Sequence, residues 1–281
     1  MSTERRFTQV DVFASEPRTG NPLAVVLDGE GLTTEQMQDV ARWTNLSETT
    51  FLLPPTDDAA DYLVRIFTTT EELPFAGHPT LGTCFAWLAA GGVPADASVI
   101  RQQCGVGVVE VRASGDRVAL AAPPLIRSGP LDDTERARIA MILQTPESAF
   151  IDAAWVDNGP GWAAVLLESA EAVRALEPIA ADPSEVKVGV VGPCGADEAF
   201  DFEVRALFST GGPVVEDPVT GSLNASVAQW LLESGRASAP YTATQGSQVG
   251  AAGRVEVTRD PDGTIWIAGR VDQVISGTIR I

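Results

Sequence analysis

Short runs of β-branched and aromatic residues, separated by polar or turn-forming residues, dominate the pattern of apolar and polar positions along the chain. Runs of this length and composition are typical of β-strands. In the first half they predict strands over residues 7–13, 23–27, 50–53, 63–67, 107–111 and 118–121. In the second half they predict strands over residues 163–167, 186–191, 202–208, 255–258, 265–268 and 274–279. Both halves are therefore expected to be rich in strands.

Helical patterns are fewer, and two of them are unusual. Segments 34–44, 132–141 and 169–176 have the apolar spacing and capping residues of helices. Segments 83–90 and 222–232 are instead apolar nearly all round, with a hydroxyl residue at the start and a glycine close to the end. Such a helix must be surrounded by protein, since a single apolar stripe suffices on a surface. We therefore predict an α+β fold of two lobes, each a β-roll or barrel wrapped around a central helix.

An internal repeat relates the two halves. A constant offset of 139 residues aligns His78-Pro79-Thr80-Leu81-Gly82-Thr83 with Asp217-Pro218-Val219-Thr220-Gly221-Ser222. In both halves a strand with an aromatic end precedes the motif and an apolar helix follows it, so we expect the lobes to be pseudo-symmetric. Prolines between residues 123 and 130 favour a boundary there, which gives lobes 1–122 and 123–281. The final strand either stays with the second lobe or pairs back with the first.

Composition narrows the classes of function. The chain has 281 residues, a formal net charge of -19 and no cluster of Lys and Arg, so nucleic acid is not an expected partner. No apolar stretch is long enough to span a bilayer, and residues 1–10 lack the apolar core of a signal peptide, so we expect a cytoplasmic protein without a membrane partner. Cys84, Cys104 and Cys194 are expected to be small apolar residues rather than disulfide partners or metal ligands.

The loops that enter the two central helices contain the candidate chemistry. Gly82-Thr83 and Gly221-Ser222 would present backbone N–H groups at helix starts, where an anion is stabilised by about 0.3 to 1 kcal/mol. Thr83 and Ser222 would otherwise be simple N-caps. Two such starts facing each other across a pseudo-twofold axis would form a cleft suited to a carboxylate and a developing enolate-like charge.

Two ionisable residues precede prolines in these loops. His78 is the only histidine of the chain, and Asp217 occupies the matching position under the repeat. A residue before proline is often only the start of a turn. Because both loops are expected to converge, we favour a functional role for His78 and Asp217.

Several short motifs occur together in one order. They are Asp11-Val12-Phe13, Gly20-Asn21-Pro22-Leu23-Ala24-Val25, Asn45-Leu46-Ser47-Glu48-Thr49, Leu73-Pro74-Phe75-Ala76-Gly77-His78-Pro79-Thr80-Leu81-Gly82, Glu216-Asp217-Pro218-Val219-Thr220-Gly221-Ser222, Gln245-Gly246 and Gly253-Arg254. In this combination the sequence resembles the phenazine-biosynthesis PhzF-like family of isomerases and epimerases from Asp11 to Arg254.

The resemblance implies a diaminopimelate-epimerase-like fold, an active site between the lobes, a homodimer and no cofactor. It implies an isomerase that transfers a proton by acid/base chemistry on a small carboxylated metabolite, as in the isomerisation of a dihydro-hydroxyanthranilate. Carried over to this sequence, the catalytic residues are Glu48, as the main acid/base group, with Asp217 and His78. The substrate-binding residues are Ser222, Gly221, Gly77, Gly82, Thr83 and Asn21. No metal ligand is implied.

Glu48 must meet a chemical requirement in this role. Proton removal beside a conjugated carboxylate needs a base whose pKa lies near the operating pH, so we expect burial to raise the pKa of Glu48.

A two-thiol epimerase is disfavoured, because the matching loop positions contain no cysteine, and Ser222 lacks the Gly-x-Ser-x-Gly elbow of a hydrolase. The alternative is a non-catalytic metabolite-binding protein that retains the cleft, since the same side chains could serve binding alone.

Overall fold

The structure, a computed structural model, describes residues 3–281 and combines strands and helices throughout. Its strands are β1 (Glu4–Val12), β2 (Asn21–Val26), β3 (Glu48–Leu53), β4 (Tyr62–Phe67), β5 (Glu72–Leu73), β6 (Ile100–Cys104), β7 (Gly107–Ser114), β8 (Arg117–Ala121), β9 (Arg127–Pro130), β10 (Asp152–Asp157), β11 (Ala163–Leu166), β12 (Ala181–Pro193), β13 (Phe202–Pro213), β14 (Val215–Asp217), β15 (Tyr241–Gln245), β16 (Gly253–Arg259) and β17 (Ile265–Arg280). Its α-helices are α1 (Thr34–Thr44), α2 (Gly77–Ala89), α3 (Asp133–Ile142), α4 (Ala170–Arg174) and α5 (Gly221–Glu233).

The chain divides into two units. Unit 1 contains the residues up to Ala121 together with the C-terminal segment Ala268–Ile281, and unit 2 is the continuous segment Ala122–Ile267. The division lies next to the boundary predicted at residue 122. The last strand returns to unit 1, because β17 pairs antiparallel with β1.

The strands of unit 1 close into a barrel around α2. The order of neighbours is β17, β1, β2, β3, β4, β6, β7 and β8, and β8 pairs with β17 to complete the circle. Helix α2 packs against six of these strands: β1, β2, β3, β6, β7 and β8. Close approach is possible at Gly82, where a Cβ atom would lie 2.6 Å from Leu23 Cδ2. The predicted barrel with a central helix is confirmed for this unit.

Helix α1 packs on unit 1 and matches its predicted range. It starts with a capping box in which the Thr33 side chain accepts from the Gln36 N–H and the Gln36 side chain accepts from the Thr33 N–H. It ends where Asn45 adopts the left-handed conformation. Its apolar face, with Met37 as the largest side chain, joins a cluster that includes Phe51. The burial of that face stabilises a helix whose outer surface is polar.

Unit 2 repeats the element order of unit 1. The order β1-β2-α1-β3-β4-β5-α2-β6-β7-β8 recurs as β10-β11-α4-β12-β13-β14-α5-β15-β16-β17, with β9 and α3 added before it. The types of pairing recur as well, since β11–β12 and β13–β15 are parallel in the manner of β2–β3 and β4–β6. Helix α5 packs Leu223 against Gly189 of β12, where a Cβ atom would meet Leu223 Cδ1 at 2.4 Å. The predicted pseudo-symmetry is present in the secondary structure.

The start of α2 differs from the prediction. The helix begins at Gly77 rather than at Thr83, so Gly82 and Thr83 lie in its second turn and not at its N-terminus. The physical reason is Pro79, which occupies the first turn, where a helix needs no N–H from that residue. A residue that marked a turn in the sequence is therefore part of the helix.

The strand predictions are incomplete for a different reason. The segments predicted at 265–268 and 274–279 form the single strand β17, which pairs along β1 with a bulge between Gln9 and Val10. Strands β5, β6, β9, β10, β14 and β15 were not predicted. β6 contains the polar run Arg101-Gln102-Gln103, whose Gln102 is buried through hydrogen bonds rather than apolar contact.

Candidate active site

Glu48 and His78 face each other inside unit 1. Glu48 is the first residue of β3, and His78 is the second residue of α2. The His78 Nε2 and Glu48 Oε2 atoms lie 3.3 Å apart, and the two side chains are only 6% and 15% exposed. The two atoms are not aligned as a hydrogen bond. The structure thus brings together two of the three predicted catalytic residues.

A buried hydrogen bond fixes the two elements that present this pair. The Thr50 and Thr83 hydroxyl oxygens lie 2.8 Å apart and link β3 to α2, and both side chains are fully buried. Strand β3 is held in turn by its parallel pairing with β2, in which Glu48 is opposite Leu23. In the structure Thr83 therefore braces the helix of His78 against the strand of Glu48.

Burial determines the protonation of His78. The loss of solvent lowers the pKa of the imidazole from 6.5 to about 3. The ring is therefore neutral near neutral pH, with one nitrogen that donates and one that accepts a hydrogen bond. A neutral imidazole beside a carboxyl group can pass or share a proton without forming an isolated buried cation.

The other residues predicted in this unit take different places. Gly77 is the first residue of α2, and its predecessor Ala76 has no side chain able to cap the helix. Gly82 packs against strands inside the barrel, and its predicted position at the helix start is wrong. Asn21 is the first residue of β2 and is fully buried. Of the predicted binding residues in unit 1, Gly77 alone lies at the N-terminus of the helix that carries His78.

Asp217 and Ser222 lie at the start of the equivalent helix in unit 2. Asp217 ends β14, Gly221 opens α5 and Ser222 follows as its second residue. The Thr220 hydroxyl donates to Asp217 Oδ2 at 2.5 Å. The Trp162 indole N–H donates to Ser222 Oγ at 3.1 Å, and the Asn158 amide donates to the Ser222 carbonyl at 2.9 Å.

A buried ion pair supports the strand of Asp217. Arg205 on β13 and Glu216 on β14 lie 2.7 Å apart, with side chains only 5% and 6% exposed. Arg205 also donates to the carbonyls of Val173 and Leu176. The strand that ends in Asp217 is therefore anchored at the residue before it.

The structure corrects the alignment of the repeat. The two central helices begin at Gly77 and Gly221, an offset of 144 residues rather than 139. His78 is thus equivalent to Ser222, while Asp217 is equivalent to Leu73 and not to His78. The error arose because two similar dipeptides, one in each half, were aligned although His78-Pro79 lies inside its helix and Asp217-Pro218 lies before the other.

Sequence reasoning missed several side chains at these two helix starts. Thr50, Asn158 and Trp162 lie on other elements and become neighbours only through the fold. Thr220 and Gln245 were visible as parts of motifs, but no pattern in the sequence showed their hydrogen bonds to the Asp217 loop. Among residues 3–281 there is no group of three or more His, Cys, Asp or Glu placed to hold a metal ion, and no helix there is long and apolar enough to cross a membrane.

Comparison with known proteins relates this chain to one protein family by both sequence and structure. Residues 10–277 match the profile of a family described as phenazine biosynthesis-like protein. The chain is 37% identical over 223 residues to trans-2,3-dihydro-3-hydroxyanthranilate isomerase of Pseudomonas aeruginosa, covering 77% of this chain and 76% of that protein. It is 33% identical over 295 residues to antisense-enhancing sequence 1 of Schizosaccharomyces pombe, covering 98% of both. A Bacillus anthracis phenazine biosynthesis protein of the PhzF family has the same fold, with a TM-score of 0.81, 21% identity, and coverage of 99% and 100%.

Proposed function

Because the chain belongs to the family of phenazine biosynthesis-like proteins, we propose that it is a cofactor-independent isomerase that moves a proton on a small carboxylated metabolite. The observation that supports this most directly is the close, buried pair formed by Glu48 at the start of β3 and His78 at the start of α2. Buried ionisable groups with a perturbed pKa, such as His78, are frequent at functional sites. A relative acts on a cyclic hydroxy amino acid by name, and we propose a substrate of that class here.

In this proposal Glu48 is the acid/base group. Its carboxylate takes a proton from the carbon next to the activated position of the substrate, Asp217 returns one to a different carbon, and exchange with solvent restores both carboxyl groups. A positioned acid/base group contributes roughly 10² to 10⁴ in rate. The neutral His78 ring lies with Nε2 3.3 Å from Glu48 Oε2 and avoids the cost of a buried imidazolium.

The contribution of unit 2 is proposed from the resemblance and, for Ser222 alone, from its equivalence to His78 in the repeat. Asp217 would exchange the second proton, and Ser222 with the N–H groups at Gly221 would bind the substrate carboxylate. The Trp162 indole N–H occupies a lone pair of Ser222 Oγ, which leaves the Ser222 proton to donate to another acceptor.

Proton NMR in D₂O tests this function. Wild-type protein is incubated with a panel of cyclic and acyclic carboxylates that includes a dihydro-hydroxyanthranilate, beside Glu48→Gln and the control Glu35→Gln. Glu35 is an exposed carboxyl group on the first turn of α1, so its variant has the same change of charge away from the pair. We expect deuterium exchange or isomer formation with wild type and Glu35→Gln, and a loss of roughly 10²-fold or more in Glu48→Gln.

Two results would count against the proposal. Full turnover in Glu48→Gln would remove Glu48 from the acid/base role. Binding of panel compounds to the wild type without any exchange would instead indicate a binding protein.

A further inference from the structure

Gln245 lies at the centre of a hydrogen-bond network beneath the loop 217–220. It is fully buried at the end of β15. Its Oε1 accepts from the Thr220 N–H at 3.1 Å and from the Asn224 amide at 2.8 Å. Its Nε2 donates to the Asp217 carbonyl at 3.1 Å and to Thr220 Oγ1 at 3.0 Å. All four hydrogen-bonding positions of the Gln245 amide are therefore used within this loop and the helix that follows.

The orientation of the Gln245 amide determines the direction of the next bond. A backbone N–H can only donate, so the atom that faces the Thr220 N–H must be the oxygen of Gln245. The nitrogen of Gln245 then donates to Thr220 Oγ1, and the single hydroxyl proton of Thr220 must point elsewhere. Asp217 Oδ2 lies 2.5 Å away and accepts it. Asp217 Oδ2 is thus held as an acceptor, and a proton on this carboxyl group belongs on Oδ1.

Two glycines allow neighbouring strands to press against the same loop. Gly246 has a φ of 95°, and a Cβ atom there would lie 2.3 Å from the Pro218 carbonyl oxygen. A Cβ atom at Gly253 would lie 2.2 Å from Val219 Cγ2. The Gln245-Gly246 and Gly253 motifs, for which the sequence suggested no role, both fix the position of the loop that contains Asp217.

Unit 1 has the same scaffold without the polar network. Gly105 approaches Pro74 as Gly246 approaches Pro218, since a Cβ atom at Gly105 would lie 2.7 Å from Pro74 Cα. The positions of Asp217, Thr220 and Gln245 are occupied in unit 1 by apolar or weakly polar residues. Leu73 and Ala76 follow from the offset of 144, and Cys104 is the last residue of β6 as Gln245 is the last residue of β15. The three polar residues are present together in unit 2 and replaced together in unit 1, so the network is not needed to build the scaffold.

We propose that Gln245 and Thr220 are positioning residues for Asp217, which direct its transferable proton to Oδ1. This inference rests on the proposed function for its catalytic meaning, because it assumes that Asp217 exchanges a proton with substrate. Gln245 acts only through Thr220 and the loop backbone, and neither residue needs to touch the substrate.

The test measures the titration of Asp217 itself in the full-length protein. Protein labelled with ¹³C at the aspartate carboxyl carbons is titrated by NMR, and Asp217→Asn identifies the resonance. In Thr220→Val the hydrogen bond to the ionised carboxylate is lost, so we expect the pKa of Asp217 to rise by about one pH unit or more. Thr220→Ser keeps the hydroxyl and should restore the wild-type titration.

A second variant and a matched control make the test independent of folding defects. Gln245→Glu keeps the acceptor for the Thr220 N–H but loses both donors and adds a negative charge, so it should also raise the pKa of Asp217. Thr80→Val is the control in unit 1, because Thr80 is a buried threonine that donates to Ala76 and accepts from Gln102. It should leave the Asp217 titration unchanged.

Catalysis and positioning can then be separated. Where wild type exchanges deuterium, Thr220→Val should lower kcat roughly tenfold, with KM nearly unchanged, and move the pH profile with the pKa of Asp217. An unchanged titration in Thr220→Val and in Gln245→Glu would overturn the inference, whether or not the wild type turns over. A shifted titration in a protein that catalyses no exchange supports the positioning and counts against the proposed function.

Discussion

His78 offers the sharpest test of the electrostatics of unit 1, because it is the only histidine of the chain. Its buried ring has a pKa lowered to about 3, whereas in the unfolded chain the pKa is near 6.5. Between these values the unfolded state binds a proton that the folded state does not. The stability contributed by the neutral ring is therefore present above pH 6.5 and is lost as the pH falls toward 3.

The size of the effect follows from the two pKa values. At pH 5 the unfolded state is favoured by about 2 kcal/mol relative to pH 8, from this one residue. In His78→Gln this contribution disappears, although the variant has a constant cost from altered packing. The carboxyl groups titrate in both proteins, so the difference between wild type and variant isolates His78. We expect wild type to lose about 2 kcal/mol more than His78→Gln between pH 8 and pH 5.

Urea unfolding at pH 8, 6.5 and 5 measures the difference, and NMR of the single histidine ring gives its charge state directly. The ring resonances should not titrate between pH 8 and pH 5. Glu48, only 3.3 Å away, is the group that could reverse this result by stabilising an imidazolium. Two results would refute a neutral His78. One is a wild-type protein whose free energy of unfolding rises relative to that of the variant as the pH falls, and the other is a ring that titrates above pH 6.5.

Three further predictions concern packing, charge and assembly. Gly82→Ala should lower the free energy of unfolding by about 1 to 3 kcal/mol in urea, because its Cβ would overlap strand side chains; unchanged stability would contradict this packing. Glu216→Gln should cost about 3 to 5 kcal/mol by leaving Arg205 buried without its partner. The equivalent Glu72→Gln, in the more exposed pair with Arg65, should cost less than about 1 kcal/mol, and equal costs would contradict the difference in burial. The predicted homodimer should sediment at twice 29.5 kDa, and a monomer at micromolar concentration would exclude it.

The sequence was sufficient for the architecture of unit 1 but not for the register of the repeat. The helices around Gly82 and Leu223 were recognisable because they are apolar all round, and only an enclosing sheet can accommodate such helices. The start of α2 was misplaced because proline has two uses: it begins turns and it occupies first turns of helices. The residues around Pro79 and Pro218 do not reveal that the first lies inside a helix and the second before one. The strand pairing of the folded chain is needed to distinguish the two positions.

The candidate site, like the register of the repeat, could be predicted only in part from the sequence. Glu48 was identified through a family motif, and its contact with His78 depends on a strand and a helix that are 30 residues apart in the chain. The network around Gln245 could not be predicted, because hydrogen-bond direction depends on where four partners lie in space. Residue types and motifs therefore identified the loops of the candidate site. The hydrogen bonds of Thr83, Thr220 and Gln245 became apparent only in the three-dimensional structure.

The return of β17 to unit 1 has a consequence for synthesis of the protein. Strands β1 and β8 are made early, but the strand that joins them is made only after the whole of unit 2. Because the chain grows from its N-terminus, unit 2 is able to fold on the ribosome while the barrel still has two open edges. Open edges invite pairing with other chains. The charged residues along β1, from Glu4 to Arg6, pair with the last residues of β17 to be synthesised, so this part of the edge is the last to be covered. Their charges would discourage pairing with other chains during translation.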